Sequence, residues 1–384
     1  MHMPSLPLDG ITVVSIEQAV AAPFATRQLA DLGARVIKIE RDSGDFARNY
    51  DETVHGDSSF FVWLNRTKES VVIDLKSEEG RQVMRSLIAQ ADVFVSNLKP
   101  GAVERLGLGA EDCQETNPGL IHASISGYGP GGSYTERKAY DLIIQCEAGM
   151  LSVTGTEETP SKVGPSIADV AAGMYAYSGV LAALFQRTRT GEGAVLEISM
   201  LEALGEWMSQ PHLFANYGGA LPKRNGSSHT SIAPYGSFPT SDGTVFLGLQ
   251  NEREWQAFAE QVLHRPELGT DPRFTPNSRR LANKDELTGI VSAATSQLNS
   301  AELIELLDRI GIANARMRDM VEFNDHPQLA ERNRWREVKT STGASARALL
   351  PPSLPVGVEP QWGKVPALGE HTDAVLAEFS VTTA

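Results

Sequence analysis

Residues 11–40 read ITVVSIEQAVAAPFATRQLADLGARVIKIE, and this stretch decides the fold class. ITVVSIE (11–17) is a short β-branched run, which predicts a strand. AAPFATRQLADLG (21–33) carries apolar residues at helical spacing and ends in Gly33, a helix stop signal. ARVIKIE (34–40) predicts a second strand. The cycle then repeats. ESVVIDL (69–75), DVFVSNL (92–98) and GLIHASISGYG (119–129) read as strands, with an amphipathic helix at 78–91. Helices are expected over 139–151 and 167–187, and a strand followed by helix over 194–217. Strands alternating with helices imply an α/β fold with a parallel sheet and right-handed crossovers.

The texture changes near residue 218. GGALPKRNGSSHTS (218–231) is polar, Gly-rich and basic, as a linker or ligand loop would be. PYGSFPTSDGTVFLGL (234–249) reads as a β-hairpin, with Asp242-Gly243 between two alternating runs. Helices are expected at 251–263, 278–296 and 301–309. The tail reads as Pro-rich and irregular up to a short helix near 370–379. The expected division is 1–217, a smaller α+β domain at 218–330, and a C-terminal segment at 331–384.

The chain has 384 residues, 41% of them hydrophobic and 21% charged, the balance of a folded globular protein. Its formal net charge is −14, which repels phosphate backbones and argues against a nucleic-acid partner. An anionic small ligand would need a local cluster of cations. Two cysteines, Cys113 and Cys146, are too few for a disulfide framework or a zinc site. The N-terminal MHMPSLPLDG has no basic region or apolar core, and the apolar run Val170–Phe185 is shorter than a bilayer requires. These features point to a cytoplasmic protein without a membrane partner.

Candidate sites follow the strand ends. Gln18-Ala19-Val20-Ala21-Ala22-Pro23 stands where a dinucleotide fold carries its glycine fingerprint, and the glycines are missing. Gly127-Tyr128-Gly129-Pro130-Gly131-Gly132 follows a strand but lacks the Gly-Lys-Ser/Thr of a P-loop. Asp169 precedes an apolar helical run. It fits an N-cap, and a helix N-terminus would also keep its carboxylate ionised, as a nucleophile requires. Lys38, Arg41, Arg48, Arg66, Lys68, Lys99, Arg105, Arg137 and Lys138 fall in or beside strand ends and loops. Several of them converging there would make an anion pocket.

These pieces together resemble the family III CoA transferases, the group that includes formyl-CoA and carnitine CoA transferases. The resemblance rests on ordered blocks: PLDGITVVSIE near the start, AAPFATRQLADLGARVIKIER (21–41), SGDFAR (43–48), LNRTKESVVIDLK (64–76) and VSNLKPGAVERLGL (95–108). It continues through YDLIIQCEAGM (140–150), VGPSIADVAAGMYAYSGVLAALFQRTRTGEG (163–193) and PYGSFPTSDG (234–243). It implies a Rossmann-like large domain with a smaller domain inserted, in an interlocked homodimer. It also implies that Asp169 is the nucleophile, forming an acyl-aspartyl anhydride and then an aspartyl-CoA thioester. No metal and no tightly bound cofactor is needed, since CoA and acyl-CoA are substrates and the other partner is a small carboxylic acid.

By position in the family pattern, Val20, Ala21, Arg41, Asn97, Arg105 and Lys138 are expected to meet CoA. Where formyl-CoA transferases carry a run of glycines, this chain reads Asn225-Gly226-Ser227-Ser228-His229-Thr230. The blocks SGDFARNYD and SSFFVWLNRTKES look most like enzymes acting on C4 and C5 dicarboxylic acids of the mesaconate, succinate, malate, citramalate or itaconate type. Arg48 and His229 are the candidate cations for a second carboxylate. Two alternatives stand beside this reading. One is an α-methylacyl-CoA racemase-like enzyme, whose base histidine would fall where Tyr140 stands. The other is a non-catalytic CoA-binding dimer.

Overall fold

Six strands build one parallel sheet: β1 (Thr12–Ile16), β2 (Arg35–Glu40), β3 (Glu69–Val72), β4 (Val93–Ser96), β5 (Ile121–Ser126) and β6 (Ala194–Ser199). Their order is β3-β2-β1-β4-β5-β6, the doubly wound arrangement in which the chain turns back between β1 and β4. The computed structural model describes residues 6–219 and 221–379. Residues 1–5, which open the stretch read above for a leader, Ala220 in the polar loop, and residues 380–384 lie outside the described residues.

The sheet is sandwiched, and its strands are apolar on both faces. Val13, Val95 and Ala123 face a core shared with the first helix (Ala21–Asp31) and the long helix Ile167–Thr190. Val14, Ile37 and Phe94 face the opposite core, with Met84 and Leu87 of the helix Glu78–Ala89. The long helix exceeds the apolar run read from sequence, because polar residues extend it at both ends. By length and composition it could cross a membrane, and half of its most apolar window is buried inside the fold.

By compactness the chain divides into two units. The first takes residues up to Met150, Val163–Gln210 and Glu331 onward; the second takes Leu151–Lys162 and Pro211–Ala330. The helix Ser209–Tyr217 spans the division, so the change of texture at 218 falls just after it. In the second unit Gly155 pairs with Pro160, and the polar loop docks on that turn. Gly226 donates its N–H to the Gly155 carbonyl at 2.8 Å, and Arg224 donates to the carbonyls of Thr156 and Glu157.

Hairpin β7 (Tyr235–Pro239) and β8 (Thr244–Gly248) forms as expected, with β9 (Ala313–Arg316) added antiparallel to β8. The tail is not irregular before its helix. It carries a second hairpin, β10 (Trp335–Lys339) with β11 (Ser345–Leu349). Beyond that hairpin it lies along the β3 edge of the first unit. His371 donates its N–H to the Ser70 carbonyl, and the Val72 N–H reaches the Thr372 hydroxyl. An open strand edge is thereby covered.

Under the β1 end lies a buried ionic cluster. Glu17 Oε1 accepts from Lys68 Nζ at 2.7 Å, and its Oε2 accepts from the Thr26 hydroxyl at 2.6 Å. Lys38 Nζ donates to Asp45 Oδ2 at 2.9 Å and to the Glu17 carbonyl at 3.2 Å. Beside it, Asp31 is shared by Arg27 and Arg66.

Arg48, expected against a substrate carboxylate, joins the same framework. Its Nε and one terminal nitrogen clasp Glu40 at 2.9 and 2.8 Å, and its other terminal nitrogen donates to the Pro366 carbonyl. Its guanidinium also lies 3.7 Å from the centroid of Phe61. Burial raises the Glu40 carboxyl, but the Arg48 hydrogen bonds and the Lys38 charge outweigh it and hold the group at about 2.

Arg48→Ala therefore acts on stability. It leaves Glu40 buried without its partner, at a cost of about 3 kcal/mol. Because Glu40 is depressed in the folded protein, its contribution is present above the ordinary carboxyl range and is lost as pH falls toward 2. Urea unfolding should show the wild-type advantage over Arg48→Ala at pH 7 and its erosion between about pH 4.5 and pH 2. Equal stability at pH 7 would contradict the pairing.

Candidate active site

The site is built where the sheet reverses between β1 and β4. Open α/β sheets bind ligands outside the strand carboxyl ends at such a point. Leaving β1, the chain turns through Gln18, Ala19 and Val20 into the first helix. Ala19 sits in the left-handed region at φ 59°, unusual for a residue with a side chain. Two side chains hold it there. Asp45 Oδ1 accepts the Ala19 N–H at 3.1 Å. From the end of β4, Asn97 accepts the Gln18 N–H at 2.9 Å and donates to the Gln18 carbonyl at 2.8 Å. Asn97, expected against CoA, is thus engaged with the protein's own turn. Val20 and Ala21 are buried at the start of the first helix. The N–H groups of a helix's first turn have no intrahelical partner and favour anions.

The long helix comes very close to this turn. A Cβ on Gly173 would lie 2.6 Å from the Ala21 carbonyl oxygen, so only glycine fits the crossing. Asp169 stands one turn earlier on the same helix face. A second close approach places its neighbour. A Cβ on Gly127 would fall 2.2 Å from that of Ala139, which brings Tyr140 and the helix Asp141–Glu147 against the end of β5. Gly127, the first glycine after β5, is thus a packing position.

Asp169 is the third residue of its helix, and Ser166 holds the N-cap position, so Asp169 is not the cap. Its carboxyl is also not held ionised in the way a helix N-terminus alone predicts. Burial pushes it up to about 7, and the charge of Asp141 adds to the effect. Asp141 is itself anchored, accepting the Ala168 N–H at 2.8 Å. Tyr50 faces the same place. Its phenol is pushed up to about 12 by burial, then by the charges of Asp45, Asp169 and Tyr140. Its ring packs on Phe46 and Phe60, at 5.7 and 5.3 Å between centroids. Sequence reading singled out neither Tyr50 nor Asp45, and Asp141 entered it only within the block YDLIIQCEAGM. None of the three carries a motif of its own.

The basic residues split into two sets. Lys38, Lys68, Arg66 and Arg48 are paired inside the first unit. Arg41, Lys99, Arg105, Arg137 and Lys138 are exposed, all in segments that follow strand carboxyl ends. Arg41 donates to the Gly44 carbonyl, and Arg137 lies over the Tyr134 ring. His229 belongs to the second unit. It stacks on Tyr235 at 5.0 Å, and its Nδ1 accepts the Ser231 N–H at 3.0 Å. That bond leaves Nε2 as the protonated nitrogen of a neutral ring.

Comparison with known proteins fits this geometry. A family model described as CoA-transferase family III matches residues 8–372. The chain is 35% identical to an acetyl-CoA:oxalate CoA-transferase of Acetobacter aceti, over 86% of this chain and 85% of that one. It is 32% identical to a succinyl-CoA:mesaconate CoA-transferase of Haloarcula marismortui, over 98% and 97% of the two chains. Its fold matches the crystal structure of a CAIB/BAIF family protein from Brucella suis with a TM-score of 0.86 and 31% identity, covering 98% of this chain and 100% of that one. With the doubly wound sheet and Asp169 at its switch point, these matches place the chain: it belongs to CoA-transferase family III.

Proposed function

We propose that the protein moves CoA from an acyl-CoA thioester to a dicarboxylic acid, with Asp169 as the nucleophile. The observation that carries this is one partly buried carboxyl, raised to about 7, at the start of the helix that meets the sheet's switch point. A carboxylate of that basicity attacks a thioester better than an ordinary one, and at neutral pH it is still substantially ionised.

An Asp169 oxygen attacks the thioester carbon, and the C–S bond breaks to give a mixed anhydride and CoA thiolate. The thiolate attacks the aspartyl carbonyl and releases the donor acid, leaving an aspartyl-CoA thioester. The acceptor carboxylate attacks that thioester, again expelling thiolate and forming a second anhydride. Thiolate attack on the acceptor carbonyl gives the new acyl-CoA and restores Asp169. Each attack passes through a tetrahedral oxyanion, for which backbone N–H donors are the usual partners. Arg41, Arg105 and Lys138 are the cations assigned to the CoA phosphates, and Val20 and Ala21 line the approach.

The dicarboxylate reading draws on the relatives named for oxalate and for succinate with mesaconate. Arg48, already bonded to Glu40, and His229 are the candidates for the second carboxylate. Exposed apolar side chains such as Phe185, Tyr217 and Leu221 favour a covered surface, and hence a homodimer. The racemase reading gains nothing from the site, because Tyr140 occupies the place of its base.

Incubation with succinyl-CoA followed by peptide mass spectrometry should find a CoA adduct on the peptide holding Asp169, and none in Asp169→Ala. A turnover-competent Asp169→Ala would sink the nucleophile. The kcat/KM profile should rise with pH through about 7 as Asp169 deprotonates. Arg105→Ala and Lys138→Ala should each raise the KM for acyl-CoA about 3- to 10-fold, with kcat nearly constant, as loss of uniform binding does.

A further inference from the structure

Beneath the nucleophile lies a buried amide that the reaction above does not use. Gln145 is fully buried on the helix Asp141–Glu147. Its Nε2 donates to Asp141 Oδ2 at 2.8 Å. Its Oε1 accepts the Val163 N–H at 3.0 Å. The backbone N–H can only donate, so it fixes which end of the amide is oxygen. Asp141 Oδ1 in turn accepts the Ala168 N–H at 2.8 Å, one residue before Asp169. One side chain therefore ties together its own helix, the segment entering the long helix, and that helix's first turn.

The tie has a specific direction. The first turn of the long helix has no side-chain cap from Ser166. Asp141 supplies an acceptor from a different helix instead, and Gln145 holds Asp141 from one turn below. Turning the Asp141 carboxylate away would release both the Ala168 N–H and the orientation of the adjacent Asp169. A buried amide with both ends satisfied by two segments is costly to disturb and pins their separation.

We infer that Gln145 is a positioning residue for CoA transfer: through Asp141 it sets the first turn of the long helix, and with it the line of attack of Asp169. The inference rests on Asp169 being the nucleophile. The titratable groups facing Asp169 are Asp141 from the helix Asp141–Glu147 and Tyr50 from the loop after β2, and Tyr50 in turn feels Asp45 and Tyr140.

The test uses the full-length protein and succinyl-CoA, and follows the rate of adduct formation on the Asp169 peptide. Gln145→Met keeps the volume and removes both hydrogen bonds. Its adduct rate should fall about 100-fold, the loss expected of a misplaced reacting group, with the KM for succinyl-CoA within about twofold of wild type. Gln145→Glu keeps the acceptor for the Val163 N–H. Protonated, its carboxyl can donate to Asp141; ionised, it repels Asp141. Its rate relative to wild type should therefore be highest at low pH and fall as pH rises. A merely structural amide would give a lower melting point with no such pH-dependent rescue.

Wild-type rates in folded Gln145→Met would overturn the inference while leaving the nucleophile in place. Should Gln145→Met not fold, a Gln145→Glu rate that tracks wild type at every pH would overturn it equally. A wild-type protein that forms no adduct would overturn the nucleophile, and this inference with it.

Discussion

The buried carboxylate of Glu17 sets the geometry on which the site depends. It directly follows β1, and two lysines, one in β2 and one just before β3, meet there. Two Glu17 oxygens and the Asp45 carboxylate give those lysines their partners, and Asp45 then reaches across to hold the Ala19 N–H. Buried ion pairs add little net stability, because desolvation offsets most of the attraction. Their value here is positional. Ala19 is kept in a conformation it would not choose, and Asn97 fixes the peptide before it. The turn that opens the first helix is thus fixed by charge, and the long helix can meet it at Gly173 with no side chain between.

That arrangement explains how an acidic chain can serve a polyphosphate ligand. The net charge of −14 describes the whole surface. At the strand carboxyl ends the exposed cations are those that follow β2, β4 and β5, while Arg27, Lys38, Arg48, Arg66 and Lys68 neutralise buried acids. Charge excess and local binding are separate matters, and only the second concerns the site.

The fold class was legible in residues 11–40 because strand and helix periodicities there are uninterrupted and the strands are buried on both faces. The short tail strands were not legible. Trp335–Lys339 reads WREVK and Ser345–Leu349 reads SARAL, with charges inside each strand and little β-branched character. Strand β9, ANAR, is similar. The helix carrying Asp169 could be found, but not its environment. Nothing in the spacing shows that Arg48 folds back on Glu40, or that Asp141 lies beside Asp169. Those facts depend on tertiary burial, and burial is also what raises the Asp169 carboxyl where a helix N-terminus alone would keep it low.

The site then follows a simple logic. Burial and a neighbouring carboxylate make Asp169 more basic, and a close helix crossing presents it at the sheet's switch point. The central claim is that this carboxylate passes through an anhydride with each acid, which requires an oxygen to change owners. The most direct measurement is a single turnover with unlabelled succinyl-CoA and mesaconate whose carboxylate oxygens are oxygen-18. The account predicts that the recovered Asp169 peptide gains one heavy oxygen. Mesaconyl-CoA formed with no label in Asp169 would contradict it.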